Sequence, residues 1–168
     1  MTMLSDIEIA LARESDLDGI LALQAANQIS NGGKLSASFS RPQLKSMMMH
    51  MPLLVARREN NVVGFLISSN RETTADIPII LAMLDAYPRH ARDAYVYGPV
   101  CIDAKERGKG LAQLLFEGLR RLLPGREGVL FIRRDNEASI RSHRTMGMRE
   151  VSHFSFGGIE HIVMSYVG

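Results

Sequence analysis

A glycine-rich turn between a strand and a helix constrains this chain more than any other feature. Residues 104–112 read AKERGKGLA, and they follow AYVYGPVCI, whose β-branched and aromatic residues are typical of a strand. Directly after the turn, leucines repeat at helical spacing, at Leu111, Leu114, Leu115, Leu119 and Leu122. A glycine inside a helix costs about 1 kcal/mol relative to alanine. Glycines this close to a helix start therefore need a compensating role.

Such a turn is suited to hold an anion. The first N–H groups of a helix lack intrahelical partners, and the helix dipole places about half a positive charge there. Glycines let the backbone approach a phosphate, and Arg107 and Lys109 add full charges. The glycine spacing fits neither GxxxxGK[ST] nor GxGxxG after a first strand, so neither of those phosphate motifs is supported. An ordinary solvated turn is the alternative interpretation of residues 107–112.

The rest of the pattern predicts alternating strands and helices. The helix that follows residues 7–12 should begin with Ser15 as its N-cap, and ENN at 59–61 should close a hairpin. Predicted strands cover 7–12, 53–58, 62–68, 94–102, 128–133 and a terminal hairpin split at 157–158, and predicted helices cover 15–25, 41–51, 79–87, 111–122 and 136–147. ISNGGKLSASFS, residues 29–40, reads as a loop.

Composition limits the class of protein. The chain has 168 residues, 46% hydrophobic and 23% charged, which predicts one domain over 1–168. A net charge of +2 with no block of like charges argues against a nucleic-acid partner. One cysteine, no basic-then-apolar leader and no apolar run of about 20 residues predict a cytoplasmic protein with no membrane association. Five histidines without close pairing argue against a metal site.

Two motifs give the chain a family resemblance. Arg107-Gly108-Lys109-Gly110-Leu111-Ala112 resembles the [Q/R]-x-x-G-x-[G/A] motif with which GNAT-type N-acetyltransferases bind acyl-CoA. Downstream, the family's helix reads roughly N-x-x-[A/S]-x-x-x-Y-x-x-x-G-F. This chain has Asn136, Ser139, His143, Gly147 and Met148 at those spacings. The order of predicted elements agrees over nearly the whole chain.

The resemblance implies a fold, an activity and a donor site. The implied fold is a mixed α/β (α+β) one, with a central, mostly antiparallel sheet splayed at the motif strand and flanked by helices. The implied activity is acyl transfer from acetyl-CoA, a cosubstrate used without metal, to an amine of a small molecule or peptide by direct attack. The implied donor-binding residues are Val100, Cys101, Ile102, Arg107, Gly108, Lys109, Gly110, Leu111, Ala112, Asn136 and Ser139.

Two features of the motif strand concern the implied donor site, the Gly98-Pro99 pair and Cys101. Gly98-Pro99 indicates a bulge, because proline cannot donate to a sheet ladder. By resemblance, the freed backbone at Val100, Cys101 and Ile102 bonds the pantetheine arm and polarises the thioester. Cys101 could be a nucleophile if an adjacent base activated it, or a small apolar filler. Direct transfer in the family favours the filler.

The proton-transfer residues are only partly predictable. His143 stands where the family commonly has tyrosine, so it is the candidate general acid, with packing on the helix as the alternative. Freeing a lysine-like amine at pH 7 costs about 4.6 kcal/mol, so the base matters more than the acid. Strand 94–102 carries no carboxylate, and Asp76, Asp85 and Asp93 are only candidates for a water relay. The base stays unassigned.

The acceptor is not identified by any motif. The family builds its acceptor pocket from the regions equivalent to 29–40, 70–93 and the terminal hairpin. Met47, Met48 and Met49 fit core filling better than a pocket lining. A homodimer stays open, and a non-catalytic acyl-CoA sensor is the alternative function, because the strand carboxylate is missing.

Overall fold

The computed structural model describes residues 6–28, 38–74 and 76–168. The described part contains seven strands and five helices. The strands are β1 (Ile7–Leu11), β2 (Leu53–Arg58), β3 (Asn61–Asn70), β4 (Tyr95–Ile102), β5 (Glu127–Arg133), β6 (Arg149–Phe156) and β7 (Ile159–Val167). The helices are α1 (Leu17–Ala26), α2 (Arg41–His50), α3 (Pro78–Ala86), α4 (Leu111–Leu122) and α5 (Glu137–Thr145). Short 3₁₀ turns cover Glu14–Asp16 and Ala104–Glu106.

The mixed α/β fold predicted from the sequence is confirmed. Strand pairing is antiparallel for β1 with β2, β2 with β3, β5 with β7 and β6 with β7, and parallel for β4 with β5. The registered pairs between β4 and β5 are Tyr95 with Gly128 and Val96 with Val129. Every predicted strand and helix is present. Of the predicted loop 29–40, residues 29–37 lie outside the described residues.

The chain divides into two compact units, which are Met1–Ser68 with Gly98–Leu122, and Ser69–Tyr97 with Leu123–Gly168. In the first unit, α1 and α2 cover one face of β2 and β3, where Leu17, Leu44, Val55, Phe65 and Cys101 share a core. In the same unit α4 packs on β1 and β2. Coverage of both faces explains why β2 is buried along nearly its whole length.

The second unit has its own core. In it α3 lies against β6, and Ile80 and Met83 of the helix pack with Val96, Val129 and Val163. These valines come from three strands, β4, β5 and β7, which are well separated in the sequence. The unit therefore depends on contacts between distant parts of the sequence.

Local signals set most of the element ends. Glu59 and Asn60 adopt positive φ angles of 52° and 68°, so the predicted ENN hairpin turn is confirmed. Ser40 and Gln43 form a capping box before α2, with the proline in its first turn. After α5, Gly147 has a φ of 98° and ends the helix as predicted.

The predicted Ser15 N-cap is wrong. A 3₁₀ turn precedes α1, and Asp16 takes the capping position at the helix start. The Asp16 carboxylate accepts from the Arg13 backbone N–H at 2.7 Å and from Arg57 Nε and Nη2 at 2.8 and 2.6 Å. Both side chains of the Asp16–Arg57 ion pair are almost fully buried. The Asp16 side chain makes no capping hydrogen bond in α1 and is held instead by this tertiary contact with β2.

Candidate functional site

The glycine turn leaves its backbone open. Gly108 and Gly110 adopt φ angles of 76° and 82°, a region that side chains other than glycine rarely enter. A Cβ added at either position would have no described residue beyond its chain neighbours within 4 Å. The glycines are therefore required by backbone conformation and not by crowding, and the described part of the chain leaves the space beside them open.

Helix α4 begins immediately after this turn. Its first intrahelical bond runs from the Leu114 N–H to the Gly110 carbonyl, at 3.2 Å. The N–H groups of Leu111, Ala112 and Gln113 precede that bond and are the orphan donors of the helix start. Open glycine backbone followed by a helix N-terminus is an arrangement that fits a phosphate or pyrophosphate.

The two basic side chains of the turn contact neighbouring protein groups. Arg107 donates through Nε to the Ile102 carbonyl at 3.3 Å and through Nη2 to the Asn27 side-chain oxygen. Lys109 lies 3.4 Å from Oε1 of Glu106. In this structure neither cation is a freely solvated charge. The contacts of Asn27 and Glu106 with the turn were not predicted from the sequence, although the three-residue spacing of Glu106 and Lys109 could have indicated their contact.

The three strand residues predicted to serve the donor precede this turn in the same unit. Gly98 has a φ of 106°, and its bond to Pro99 is cis. Val100 and Ile102 are half-buried, whereas Cys101 is buried. Burial raises the pKa of the Cys101 thiol to about 12, and its Sγ lies 3.7 Å from the Leu23 carbonyl. These surroundings support a packing role for Cys101, because a nucleophilic cysteine needs a lowered pKa.

Asn136, Ser139 and His143 lie on α5 in the second unit. Asn136 is the N-cap, and its side-chain oxygen accepts from the Ser139 N–H at 3.4 Å. His143 Nδ1 lies 2.7 Å from the Ser139 carbonyl and 3.3 Å from its hydroxyl. The structure therefore brings these three residues together along one face of the helix. It brings Val100–Ala112 together separately, in the first unit.

Tyr97 of β4 completes the surroundings of His143. The Tyr97 hydroxyl lies 3.1 Å from His143 Nε2, and the two rings meet edge to face at 5.5 Å. A carbonyl can only accept, so Nδ1 carries the proton donated to Ser139, and Nε2 accepts from Tyr97. Burial lowers the pKa of His143 and raises that of Tyr97. His143 is thus held neutral, and its Nε2 accepts the hydrogen bond from the Tyr97 hydroxyl.

The sequence did not identify a carboxylate that could act as the general base. Asp76, Asp85 and Asp93 are all exposed. The buried carboxylate of the second unit is Glu127, which accepts from the Tyr87 hydroxyl at 2.8 Å, the Ala91 N–H at 2.6 Å and the Ser165 hydroxyl. Burial acts to raise the pKa of Glu127, but these hydrogen bonds together lower it. Glu127 therefore anchors the turn at residues 87–91, and it is a weak candidate for the general base of the reaction.

No helix within residues 6–28, 38–74 and 76–168 is long and apolar enough to cross a membrane. In the same ranges, no three His, Cys, Asp or Glu side chains gather as a metal-binding group.

Comparison with known proteins places the chain in a family. The model of the acetyltransferase (GNAT) family matches residues 24–148, which include both motifs. The chain belongs to that family, and the prediction of an acyltransferase is confirmed at that level. No curated protein sequence matches the chain at a significant level.

Solved structures share the fold at low identity. An N-acetyltransferase from Staphylococcus aureus Mu50 superposes with a TM-score of 0.70 at 19% identity, covering 96% of this chain and 98% of that one. A ribosomal-protein-alanine N-acetyltransferase from Brucella melitensis gives 0.69 at 20% identity, covering 96% and 99%. A phosphinothricin acetyltransferase from Sinorhizobium meliloti, solved in complex with AcCoA, gives 0.70 at 16% identity, covering 96% and 88%.

Proposed function

We propose that this chain transfers an acetyl group from acetyl-CoA to an amine of a small molecule or peptide, by direct attack within one domain spanning 1–168. The observation that carries the proposal is the turn at Gly108 and Gly110, with open space beside both glycines and a helix starting at Leu111. Family membership supplies the class of reaction. A cytoplasmic location and a homodimer stay predictions.

Donor binding is assigned to backbone more than to side chains. The N–H groups of Leu111, Ala112 and Gln113 would take the pyrophosphate of acetyl-CoA, and the two glycines would admit it. Arg107 and Lys109 would have to exchange their present partners to contribute charge. In this proposal Val100, Cys101 and Ile102 offer main-chain groups to the pantetheine arm, and Asn136 and Ser139 remain proposed donor contacts.

Transfer needs one bond formed, one broken and one proton moved. The acceptor nitrogen forms a bond to the acetyl carbon, the carbon–sulfur bond breaks, and sulfur leaves with the electron pair. The amine loses one proton and the sulfur gains one. A backbone N–H aimed at the thioester oxygen could contribute about 3 kcal/mol.

His143 is the proposed proton carrier to sulfur, with a constraint from its hydrogen bonds. Because Nδ1 donates to the Ser139 carbonyl, the lone pair of the imidazole lies on Nε2, where it accepts a hydrogen bond from the Tyr97 hydroxyl. His143 would therefore have to accept a proton at Nε2 before it could give one up. A direct attack without Cys101 as nucleophile agrees with the buried, high-pKa thiol.

The acceptor class is proposed only as an amine. Among the structural neighbours, one is a ribosomal-protein-alanine N-acetyltransferase and another a phosphinothricin acetyltransferase. At 20% and 16% identity they support the fold and leave both peptide and small-molecule amines within the proposal.

A non-catalytic acyl-CoA sensor is the second candidate. The observation that favours it is the lack of a carboxylate in β4, together with the engagement of Asp16, Glu106 and Glu127 in other contacts. A sensor and an enzyme would share the donor site and differ in turnover.

Two linked measurements separate these possibilities. Acetyl-CoA at tenfold over its Kd should raise the unfolding free energy by about 1.4 kcal/mol, seen as a higher Tm. Release of free CoA thiol is then followed with a panel of small amines and peptide N-termini, with heat-treated protein as the control. Amine-dependent thiol release supports the enzyme. Stabilisation without release on any amine supports the sensor, and no stabilisation contradicts both.

A further inference from the structure

A cluster of charged side chains includes Lys109 of the glycine turn. Glu106 ends the 3₁₀ turn before Arg107, and its side chain is only 9% exposed. Its two carboxylate oxygens accept from Arg58 Nε and Nη2 at 2.9 and 3.0 Å. Lys109 reaches Oε1 of the same carboxylate at 3.4 Å. We call Arg58, Glu106 and Lys109 the Glu106 cluster.

The two contacts of Glu106 differ in kind. The Arg58 contact is a two-point pair between largely buried side chains, with Arg58 16% exposed, and such pairs have fixed geometry. The Lys109 contact is a single, longer approach from a side chain 36% exposed, and pairs of that sort contribute little. Lys109 can therefore leave Glu106 at low cost, whereas Arg58 cannot.

The charges of the Glu106 cluster do not cancel completely. A carboxylate two residues before a site for pyrophosphate would repel the ligand. Arg58 cancels the charge of Glu106, so the charge of Lys109 is in excess within the cluster. Asp6 approaches Arg58 Nη1 at 3.8 Å but is 63% exposed, so solvent screens its contribution.

We propose that Arg58 is a positioning residue for the donor site. It holds Glu106 neutralised, and this lets Lys109 exchange Glu106 for an anionic group bound at Gly108–Ala112. The inference rests on the proposed function, since it takes the pyrophosphate of CoA as the anion. Arg58 itself makes no contact with the ligand in this scheme.

Calorimetric titration of the full chain with CoA tests the proposal. Arg58→Met leaves Glu106 with Lys109 as its cation, and the Kd for CoA should rise about tenfold, the size expected for one charge-assisted contact. Adding Glu106→Gln to Arg58→Met removes the repelling charge and should bring the Kd back to within about threefold of wild type. Pantetheine, which lacks the pyrophosphate, should bind all variants alike.

Control variants separate the effect of losing a charge from the effect of disturbing the fold. Arg41→Met breaks an exposed ion pair with Asp18 in the same unit and should leave the Kd for CoA unchanged. An unchanged Kd in Arg58→Met, or a double variant as weak as the single one, overturns the proposal. If Arg58→Met does not fold, Glu106→Gln alone decides whether the proposal holds. The proposal expects this variant to bind CoA more tightly than wild type, and a higher Kd contradicts it. Failure of wild type to bind CoA would instead contradict the proposed function.

Discussion

The glycine turn and the Tyr97–His143 pair are built in opposite ways. The turn presents backbone beside open space, and its charged side chains are held by surface ion pairs and hydrogen bonds. The pair consists of two buried side chains whose hydrogen-bond roles are fixed by the Ser139 carbonyl. One region is shaped to admit a charged ligand, and the other is shaped to hold a proton in a defined place.

This difference separates two parts of the proposed reaction. Binding of an anion by backbone requires only a local conformation, so its determinants lie within a few residues. Control of a proton requires burial and exact partners, which only the folded chain supplies. Variants in the turn should therefore change ligand affinity with little change in stability beyond the local backbone, whereas variants in the pair should change stability first.

The largest expected effect is on ligand affinity at Gly110. In Gly110→Val a β-branched residue must adopt a φ of 82°, and left-handed backbone costs about 1–2 kcal/mol. The side chain would also occupy the space beside the helix start. We expect the Kd for acetyl-CoA to rise by at least about tenfold, measured by calorimetry.

Gly125 offers a matched control for this substitution. It has a φ of 75° and nothing within 4 Å of an added Cβ, but it lies between α4 and β5. Gly125→Val should lose similar stability in urea and keep the wild-type Kd. Equal losses of affinity in both variants would show that the turn has no special role in binding.

The next effect is on stability at Tyr97. Tyr97→Phe removes the hydroxyl that donates to His143 Nε2 and leaves a buried acceptor without that donor. Such a change costs about 1–3 kcal/mol in the free energy of unfolding. Urea denaturation of Tyr97→Phe, His143→Leu and the double variant measures it.

The double variant shows whether the two side chains act together. Replacing both partners removes the unsatisfied group, so the combined loss should be smaller than the sum of the single losses by about 0.5–3 kcal/mol. Strict additivity would mean that the hydrogen bond between them contributes nothing.

The smallest expected effect is the dependence of stability on pH. Burial lowers the pKa of both His143 and His161, so the unfolded chain binds more protons than the folded one below about pH 6.5. Stability should therefore be fully present above that pH and fall as pH drops below it. Each histidine adds a slope of at most about 1.4 kcal/mol per pH unit.

His161 is the better site at which to test this slope. Its ring stacks on Phe154 at 5.0 Å, and among the described residues its buried Nδ1 has no hydrogen-bond partner. His161→Leu should leave stability at pH 8 nearly unchanged and flatten the decline between pH 6.5 and 5, followed by urea denaturation. A decline as steep as in wild type would contradict the role assigned to His161.

The sequence predicted what depends on local pattern. The start of α4 at Leu111 and the end of α5 before Gly147 both follow from short-range rules. Apolar periodicity likewise gave the order of strands and helices.

Contacts between distant residues were not predictable in the same way. Arg107 with Asn27, and Tyr97 with His143, join positions 80 and 46 residues apart, and no pattern in one sequence pairs them. Ser15 was expected to cap α1, but Asp16 stands at that position, and its carboxylate binds Arg57 of β2. Proton-handling and charge-holding partners are therefore the part of the site that required the structure.

The most direct test of the donor site is a map of backbone amides on binding. Proton–nitrogen NMR spectra of the labelled chain are recorded during titration with acetyl-CoA. We predict the largest shifts at the amides of Gly108–Gln113, followed by those of Val100–Ile102. Saturable binding with the largest shifts elsewhere, and unchanged amides at Gly108–Gln113, would contradict the assignment of this turn as the donor site.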